Sequence, residues 1–402
     1  MKLMKDLRDW MLQLKKFKFV PYLFIGLLSS VYAEQDYLPQ TKQDILNYSY
    51  NKAKEDSNKL KNDWINPINY QYIYSNTDNY NTKKSYISIS QPIFKSGGIY
   101  FAIKYANSVK NETNIGIDVQ RKELIKEIVN LLFQIKKINV SISKQNLLIQ
   151  NSLLDIERKK EQVLNGILDT SFLDNSILDA NSKRNTLIDL EYEKMTLINN
   201  LSNLSDKKYN EFELPQLLMS NQNDFINQNI YVQKAKDEIN TSYWFKNLAY
   251  SNYLPTVNLT ADYTKYHDRD NQYSIIEEST NYGFNITIPL DIKSSNTIQS
   301  AKIEYLQKKS LLLEKETEEQ TIFNNVQEKI KSLNKKMQIA KRDIKLYDSL
   351  VTQIKEQLEV GIKTQSDLDT IQNSQKVKEL DIKSLKIEEQ IELLELYSRM
   401  QK

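Results

Sequence analysis

The sequence has no cysteine, a single histidine, and only seven glycines and seven prolines in 402 residues. Without cysteine there is no disulfide, no thiol catalysis, no thiolate metal site and no lipid attachment at an N-terminal cysteine. The one histidine, His267, stands beside Asp268 and Asp270. Because flanking residues favour a polar loop there, it reads as a solvated side chain rather than a metal ligand. No Ser/His/Asp set, glycine-rich phosphate loop or metal-ligand spacing occurs, so we assign no catalytic residue, no metal site and no cofactor, and expect no enzyme. Only six glycines follow residue 33, too few for many tight turns, which leaves most of the chain for regular structure. Beyond residue 33 no run of about 18 apolar residues appears. A mature chain held in a membrane must therefore be held as a β-barrel.

The first 33 residues differ in kind from the rest. Basic Lys15, Lys16 and Lys18 precede an apolar run from Phe19 to Leu28, and Val31, Tyr32 and Ala33 stand ahead of Glu34. The apolar run is too short to span a bilayer, so residues 1–33 are expected to be an export signal cleaved after Ala33. Removing that segment's six basic and two acidic side chains takes the formal charge from +3 to about −1. The basicity belongs to the signal, and no nucleic-acid partner is implied.

What is abundant is seven-residue periodicity. Val326, Ile330, Leu333, Met337, Ala340, Ile344, Tyr347, Val351 and Ile354 recur at steps of three and four. This is the seam of a helix that packs along a partner over many turns. The pattern halts around Gly361 and resumes with Val377, Leu380, Ile387, Ile391 and Leu394. Leu124, Ile128, Leu131, Ile135, Ile138, Ile142, Ile149, Ile156 and Val163 form an earlier copy that halts at Gly166, 195 residues before Gly361. The chain is thus two copies of a long helical hairpin.

Each copy also carries two strand patterns. Tyr70, Tyr72 and Tyr74 alternate with polar residues, as do Ile87, Ile89 and Ile93. The second copy has Val257, Leu259, Ala261 and Tyr263, then Tyr282, Phe284, Ile286, Ile288 and Leu290. Strands are expected at about 68–76, 85–94, 255–264 and 281–291, with polar loops over 76–85 and 265–281. Pro92, Gly97, Gly98 and Pro289 mark strand-to-helix corners, where proline removes a ladder donor and glycine permits the bend. The expected organisation is a first repeat over residues 34–206, a linker over 207–221 and a second repeat over 222–402. Four amphipathic strands of this length cross a bilayer when tilted, but four cannot close, and an open edge is not left in lipid. Two copies give eight strands and no water-filled lumen; three give twelve and can leave one. The alternative is a secreted structural coiled coil or adhesin with a small soluble sheet as its head.

In order and duplication these motifs resemble the TolC-type outer-membrane efflux proteins. The carrying residues are Gln91-Pro92-Ile93-Phe94 with Gly97-Gly98, its counterpart Ile286 to Leu290, Leu254-Pro255-Thr256-Val257, and the tips Leu164 to Ile167 and Glu359 to Ile362. The resemblance implies a mainly α protein with a membrane β-barrel, trimerising into twelve strands on an α-helical tunnel. It implies a homotrimer in the lipid of the outer membrane with a periplasmic helical extension, a periplasmic adaptor and an inner-membrane RND or ABC pump. Function would be passive conduction in tripartite efflux or type I secretion. Gly361, Thr364, Asp367 and Leu368 match the family's tip pattern, which implies a gate at Asp367 with Lys363 and Thr364. The first tip departs from it, with Asp169 for the threonine and Phe172 for the acidic residue. Gly166, Ile167, Leu168, Gly361 and Ile362 become the adaptor-docking tips, although both glycines serve equally as helix terminators. Asp367 reads equally as a helix-capping acid, and Asp369 reads as one in preference to a pore residue.

Overall fold

The computed structural model describes residues 37–76, 81–269 and 277–401. The expected signal over residues 1–33 lies outside them. The elements in order are α1 (Gln40–Asn62), β1 (Asn69–Asn76), β2 (Asn81–Phe94), α2 (Gly98–Leu164), α3 (Thr170–Ser202), a 3₁₀ turn (Tyr209–Glu211), α4 (Gln222–Asn227), α5 (Ile230–Ser251), β3 (Thr256–Arg269), β4 (Glu278–Thr287), α6 (Ser294–Glu359) and α7 (Gln365–Tyr397).

Two helices set the dimensions. α2 has 67 residues and α6 has 66, each about 100 Å at 1.5 Å per residue. The other helices are shorter and stack end to end beside them. Near the sheet the packing order is α1, α2, α5, α6; toward the tips it is α3, α2, α7, α6. The helices form a curtain that begins with α1 and α3 and ends with α6. Where α1, α3, the inter-repeat segment and α7 converge on α2, Leu46, Ile128, Leu132, Phe133, Ile135, Leu201, Leu217 and Leu394 make the main core. The heptad positions Val326, Leu333, Met337 and Ala340 of α6 are buried as their spacing requires.

The four strands form one antiparallel sheet in the order β1-β2-β3-β4. β2 and β3 join the two repeats, while β1 and β4 are the edges. Several strand boundaries differ from the sequence reading. β2 begins at Asn81 and β3 runs to Arg269, so part of each expected polar loop is strand; Lys83 and Asp268, paired at 3.0 Å, explain why charged residues remain in the ladder. β4 stops at Thr287, because β3, its partner, starts at Thr256 opposite it. Finally, His267 is a strand residue whose Nε2 lies 2.8 Å from Ser85 Oγ; Asp270 is outside the described residues.

Candidate functional site

At the sheet end, register sorts the side chains by polarity. Tyr70 pairs with Ile87, Ile87 with Tyr263, Leu259 with Phe284 and Val257 with Ile286, all on one face. The opposite face carries Ser88, Asp262, Thr260, Asn258, Asn281, Gly283 and Asn285. Here Asn258 Nδ2 donates to Asn285 Oδ1 at 2.9 Å and Asn281 Nδ2 to Asp262 Oδ2 at 2.8 Å. Among the described residues no helix covers the apolar face: Tyr282 is 87% exposed and Phe284 71%. Such a sheet separates an oily phase from water. Among the described residues no helix is long and apolar enough to cross a membrane, and no group of three or more His, Asp or Glu is placed to hold a metal.

The corners between sheet and helices are tightly built where the two repeats meet. Ser96 has φ 44° and Gly97 φ 85°, left-handed values that let the chain turn from β2 into α2. A Cβ on Gly98 would stand 2.9 Å from Ser251 Oγ of α5. Ser96 Oγ donates to Pro255 O at 2.7 Å, tying the β2–α2 corner to the α5–β3 corner. Pro92 lies in β2 opposite Asn258, next to a register shift. Pro289 lies beyond the end of β4.

The far tips share one closure. In the first, Gly166 has φ 69°, its N–H reaches Val163 O at 3.0 Å, and Ile167 N–H reaches Gln162 O at 2.8 Å. In the second, Gly361 has φ 76°, with Gly361 N–H to Leu358 O at 3.0 Å and Ile362 N–H to Gln357 O at 2.8 Å. Both are Schellman caps, which need a left-handed residue and so select glycine. The returning helices are capped differently. Thr364 accepts from the Asp367 N–H, and Asp367 Oδ2 accepts from the Thr364 N–H at 3.1 Å, a reciprocal capping box. Asp169 caps α3 by accepting from Ser171 N–H at 2.8 Å. The departure of the first tip from the family pattern is thus one acceptor in place of another.

Hydrogen bonding from the Thr364 backbone, reinforced by Lys363 and Arg158, holds the Asp367 carboxyl below the usual range. Asp367 therefore satisfies the capping role and stays ionised. It also approaches Arg158 of α2 at 3.8 Å. Further up the same seam Lys144 binds Asp381 at 2.7 Å, and Asn151 bonds to Thr370 O, Ser374 and Asn373. Between α2 and α7 lies a shallow groove lined by Leu153, Leu154, Glu157, Asp369, Asn373 and Lys376. Asp369 accepts from Gln365 Nε2 at 2.7 Å, and Lys363 and Ile362 lie in the exposed turn. Ile167 is exposed as well, Leu168 partly so.

A buried charge cluster midway along the curtain was not singled out from sequence. Glu319 of α6 is fully buried, accepting from Arg399 Nη1 at 2.8 Å and from Asn229 Nδ2 at 2.8 Å. Asn229 also caps α5 through Tyr231 N–H at 2.9 Å. Burial works against the Arg399 charge, but Glu319 and Glu395 outweigh it and raise its pKa. Residues 399–401 clasp the junction of α4 and α5, with Ile230 N–H on Arg399 O and Gln401 N–H on Gln228 O, both at 2.8 Å. One signal was available: Glu319 lies seven residues before Val326, at a position the heptad reserves for apolar side chains.

Residues 214–399 match the family model for outer membrane efflux protein. No curated protein matches the sequence. Among solved structures, the outer membrane protein VceC of Vibrio cholerae is similar at 12% identity, TM-score 0.71, over 90% of this chain and 94% of its own. The CmeC outer membrane channel of Campylobacter jejuni gives 12% identity and TM-score 0.71 over 91% and 84%. The open state of the MtrE outer membrane channel of Neisseria gonorrhoeae gives 12% and 0.67 over 89% and 85%.

Proposed function

We infer that this chain, whose residues 214–399 belong to the outer membrane efflux protein family, is the outer-membrane channel of a tripartite efflux system. It is a channel rather than an enzyme. It resides in the outer membrane, and its helical curtain extends into the periplasm. On this reading three copies pool their sheets into a twelve-stranded barrel, and three curtains close into a tunnel about 100 Å long.

The observation that carries the reading is a coincidence of edges. The sheet is open at β1 and β4, and the curtain is open at α1 and α3 on one side and at α6 on the other. The same edge helices expose apolar side chains: Ile45 and Tyr48 on α1, Ile188 and Tyr192 on α3, Leu313 and Leu346 on α6. A monomer in water gains nothing from them; a ring of copies buries them. The bare apolar face of the sheet tells against a secreted rod with a soluble head.

Within this reading Asp367, flanked by Lys363 and Thr364, brings one negative charge per copy to the constriction at the tips. Like charges gathered by three-fold symmetry favour passage of cations. The tips around Gly166, Ile167, Leu168, Gly361 and Ile362 dock a periplasmic adaptor, which couples the tunnel to an inner-membrane RND or ABC pump. Cargo is drugs, other small molecules or secreted polypeptides. Purified protein in a planar bilayer tests the proposal. We expect trimers with cation-preferring conductance, and weaker preference in Asp367→Asn. A closed, stable monomer in detergent overturns the channel; unchanged selectivity in Asp367→Asn overturns the gate assignment alone.

A further inference from the structure

We propose that Lys104, Lys246 and Lys309, held over a row of aromatic rings just below the sheet, bind the headgroup of an anionic phospholipid in the periplasm-facing leaflet. This rests on the reading that the sheet lies in the outer membrane, and it assigns a lipid to one place on the rim.

The site spans three helices. Tyr100 of α2 stands edge-on to Trp244 of α5 with ring centroids 5.9 Å apart, Trp244 meets Tyr243 at 5.0 Å, and Tyr243 meets Tyr305 of α6 at 5.8 Å. Lys246 Nζ lies 4.8 Å from the centroids of both Tyr243 and Tyr305, Lys104 Nζ 5.5 Å from Tyr100, and Lys309 Nζ 5.5 Å from Tyr305. A ring face holds an ammonium without neutralising it, so the charge stays available to an anion. Among the described residues none of the three lysines takes part in an ion pair. Neighbouring Lys308, by contrast, binds Glu238 at 2.8 Å, and farther down Lys144 binds Asp381 at 2.7 Å. Residues 98–111 and 239–251, the helix ends nearest the sheet, contain no Asp or Glu. Lys104 and Lys246 lie within about 9 Å of those ends.

Chirality fixes the side of the curtain on which they lie. α5 reaches α2 through Asn240, bonded to Ser108, and through Ser251 beside Gly98; it reaches α6 through Glu238. At about 100° per residue Tyr243, Lys246 and Tyr250 then lie on one face between those two directions, and Phe245 and Leu248 on the other. In β3, Tyr266 N–H donates to Glu277 O at 2.9 Å, so residues on the polar face turn their N–H groups toward β4. For L-residues in a strand rising from α5, β4 is then on the right when seen from the polar face. The right-handed helix and that order of strands together put Tyr243, Lys246 and Tyr250 on the side of the sheet's apolar face. Phe94, paired with Val257, and Tyr250 are both exposed and continue that face toward the lysines. Acyl chains against the sheet therefore bring a phosphate to the three ammonium groups. α2 and α5 are the inner members of the packing order α1, α2, α5, α6, so a neighbouring copy at either edge leaves the site open.

The site is local rather than part of a uniform interfacial girdle, which would recur in both repeats. Counted back from Pro67 as the α5 residues are from Pro255, Tyr243, Trp244 and Lys246 correspond to Glu55, Asp56 and Asn58 of α1. Matching corner bonds, Gly98 N–H to Lys95 O and Ser294 N–H to Asp291 O, set Tyr100 and Lys104 against Asn296 and Ser300 of α6. One repeat carries the rings and the charge, and the other carries neither.

Native mass spectrometry of the purified protein in detergent, with phosphatidylglycerol or phosphatidylcholine of the same acyl chains added, tests the assignment. We expect saturable retention of phosphatidylglycerol at one lipid per copy, and weaker, unsaturated retention of phosphatidylcholine. Lys104→Gln/Lys246→Gln/Lys309→Gln should weaken phosphatidylglycerol binding on the order of 100-fold. Lys331→Gln/Lys335→Gln/Lys336→Gln, the same charge change low on α6, should leave it unaltered. Equal retention of the two lipids, or equal loss in both variants, overturns the site. In the unaltered protein the preference should vanish at about 1 M salt; a preference that survives overturns the role of the lysines without any variant. Displacement of the lipid by inorganic phosphate at equal concentration overturns its assignment to a lipid. A chain that stays dissolved without detergent overturns the membrane reading itself.

Discussion

The two hairpins share a length, a glycine cap and a position in the curtain, yet the distal halves of their seams cohere by different physics. The first is small and polar: Ser152, Ser176 and Ala180 are buried where α2 meets α3. Polar contacts lace across it, with Lys159 Nζ on Ser176 Oγ at 2.6 Å, Lys183 Nζ on Ser152 Oγ at 2.7 Å, and Gln145 Nε2 on Lys183 O at 2.8 Å. The second is apolar, with Leu333, Met337, Ala340, Leu368 and Val377 buried between α6 and α7 and Lys378 to Asp343 at 3.0 Å as a flanking tie. One backbone plan thus admits two kinds of cohesion. The polar seam depends on salt and pH, while the apolar seam depends on area removed from water.

The largest expected break is in the apolar seam. Leu333 is fully buried, and Leu333→Ala should cost about 2–5 kcal/mol, read as a fall in the thermal midpoint of the trimer. A loss under about 1 kcal/mol would mean that this hairpin does not rely on its seam. Next come the caps. Thr364→Ala should cost about 1 kcal/mol and Asp169→Ala should weaken its own helix start in the same direction, each measured as faster amide exchange in the first turn of α7 or α3. Unequal losses would show that the two tips are not equivalent caps. Asp155→Asn should loosen the first hairpin by roughly 0.5–1 kcal/mol, read as faster proteolysis near residue 166. The same change in α2 should leave exchange along the α6–α7 seam unaltered.

The smallest effect is the pH response, and its sign is definite. Burial pushes the Asp155 carboxyl up, but hydrogen bonds from Lys159, Arg158 and Ser176 outweigh it and hold it below its ordinary 3.8. Lys183 likewise depresses Asp179. A carboxyl whose folded pKa lies below its unfolded value contributes fully above the unfolded value and loses its contribution as pH falls through the folded one. Below about pH 4 the first hairpin should therefore open before the second. Exchange measured on both tips from pH 6 down to pH 3 checks this; simultaneous opening would erase the distinction between the seams.

Much of the architecture was legible in the residues. Heptads from Val326 to Ile354 specified a long helix because a 3.5-residue period has few other uses. Gly166 and Gly361 marked both tips because the Schellman cap needs a positive φ. The strand ends were read less well. Lys83 and Asp268 look like loop residues singly and become ladder residues only when paired, a fact of register rather than composition. Asp367 was readable both as a gate residue and as a helix cap, whereas its reciprocal pairing with Thr364 in a capping box emerged from geometry. Glu319 stood out only weakly, because its partners Arg399 and Asn229 are 80 and 90 residues away.

The sequence alone determined the periods, the duplication and the sidedness of the strands, since these depend on which side chains lie three, four or two residues apart. Tertiary structure decided which strand neighbours which, where β4 stops, and which helices are left as edges. Those outcomes depend on contacts between residues far apart in the chain, where many pairings satisfy the same local pattern and packing selects one.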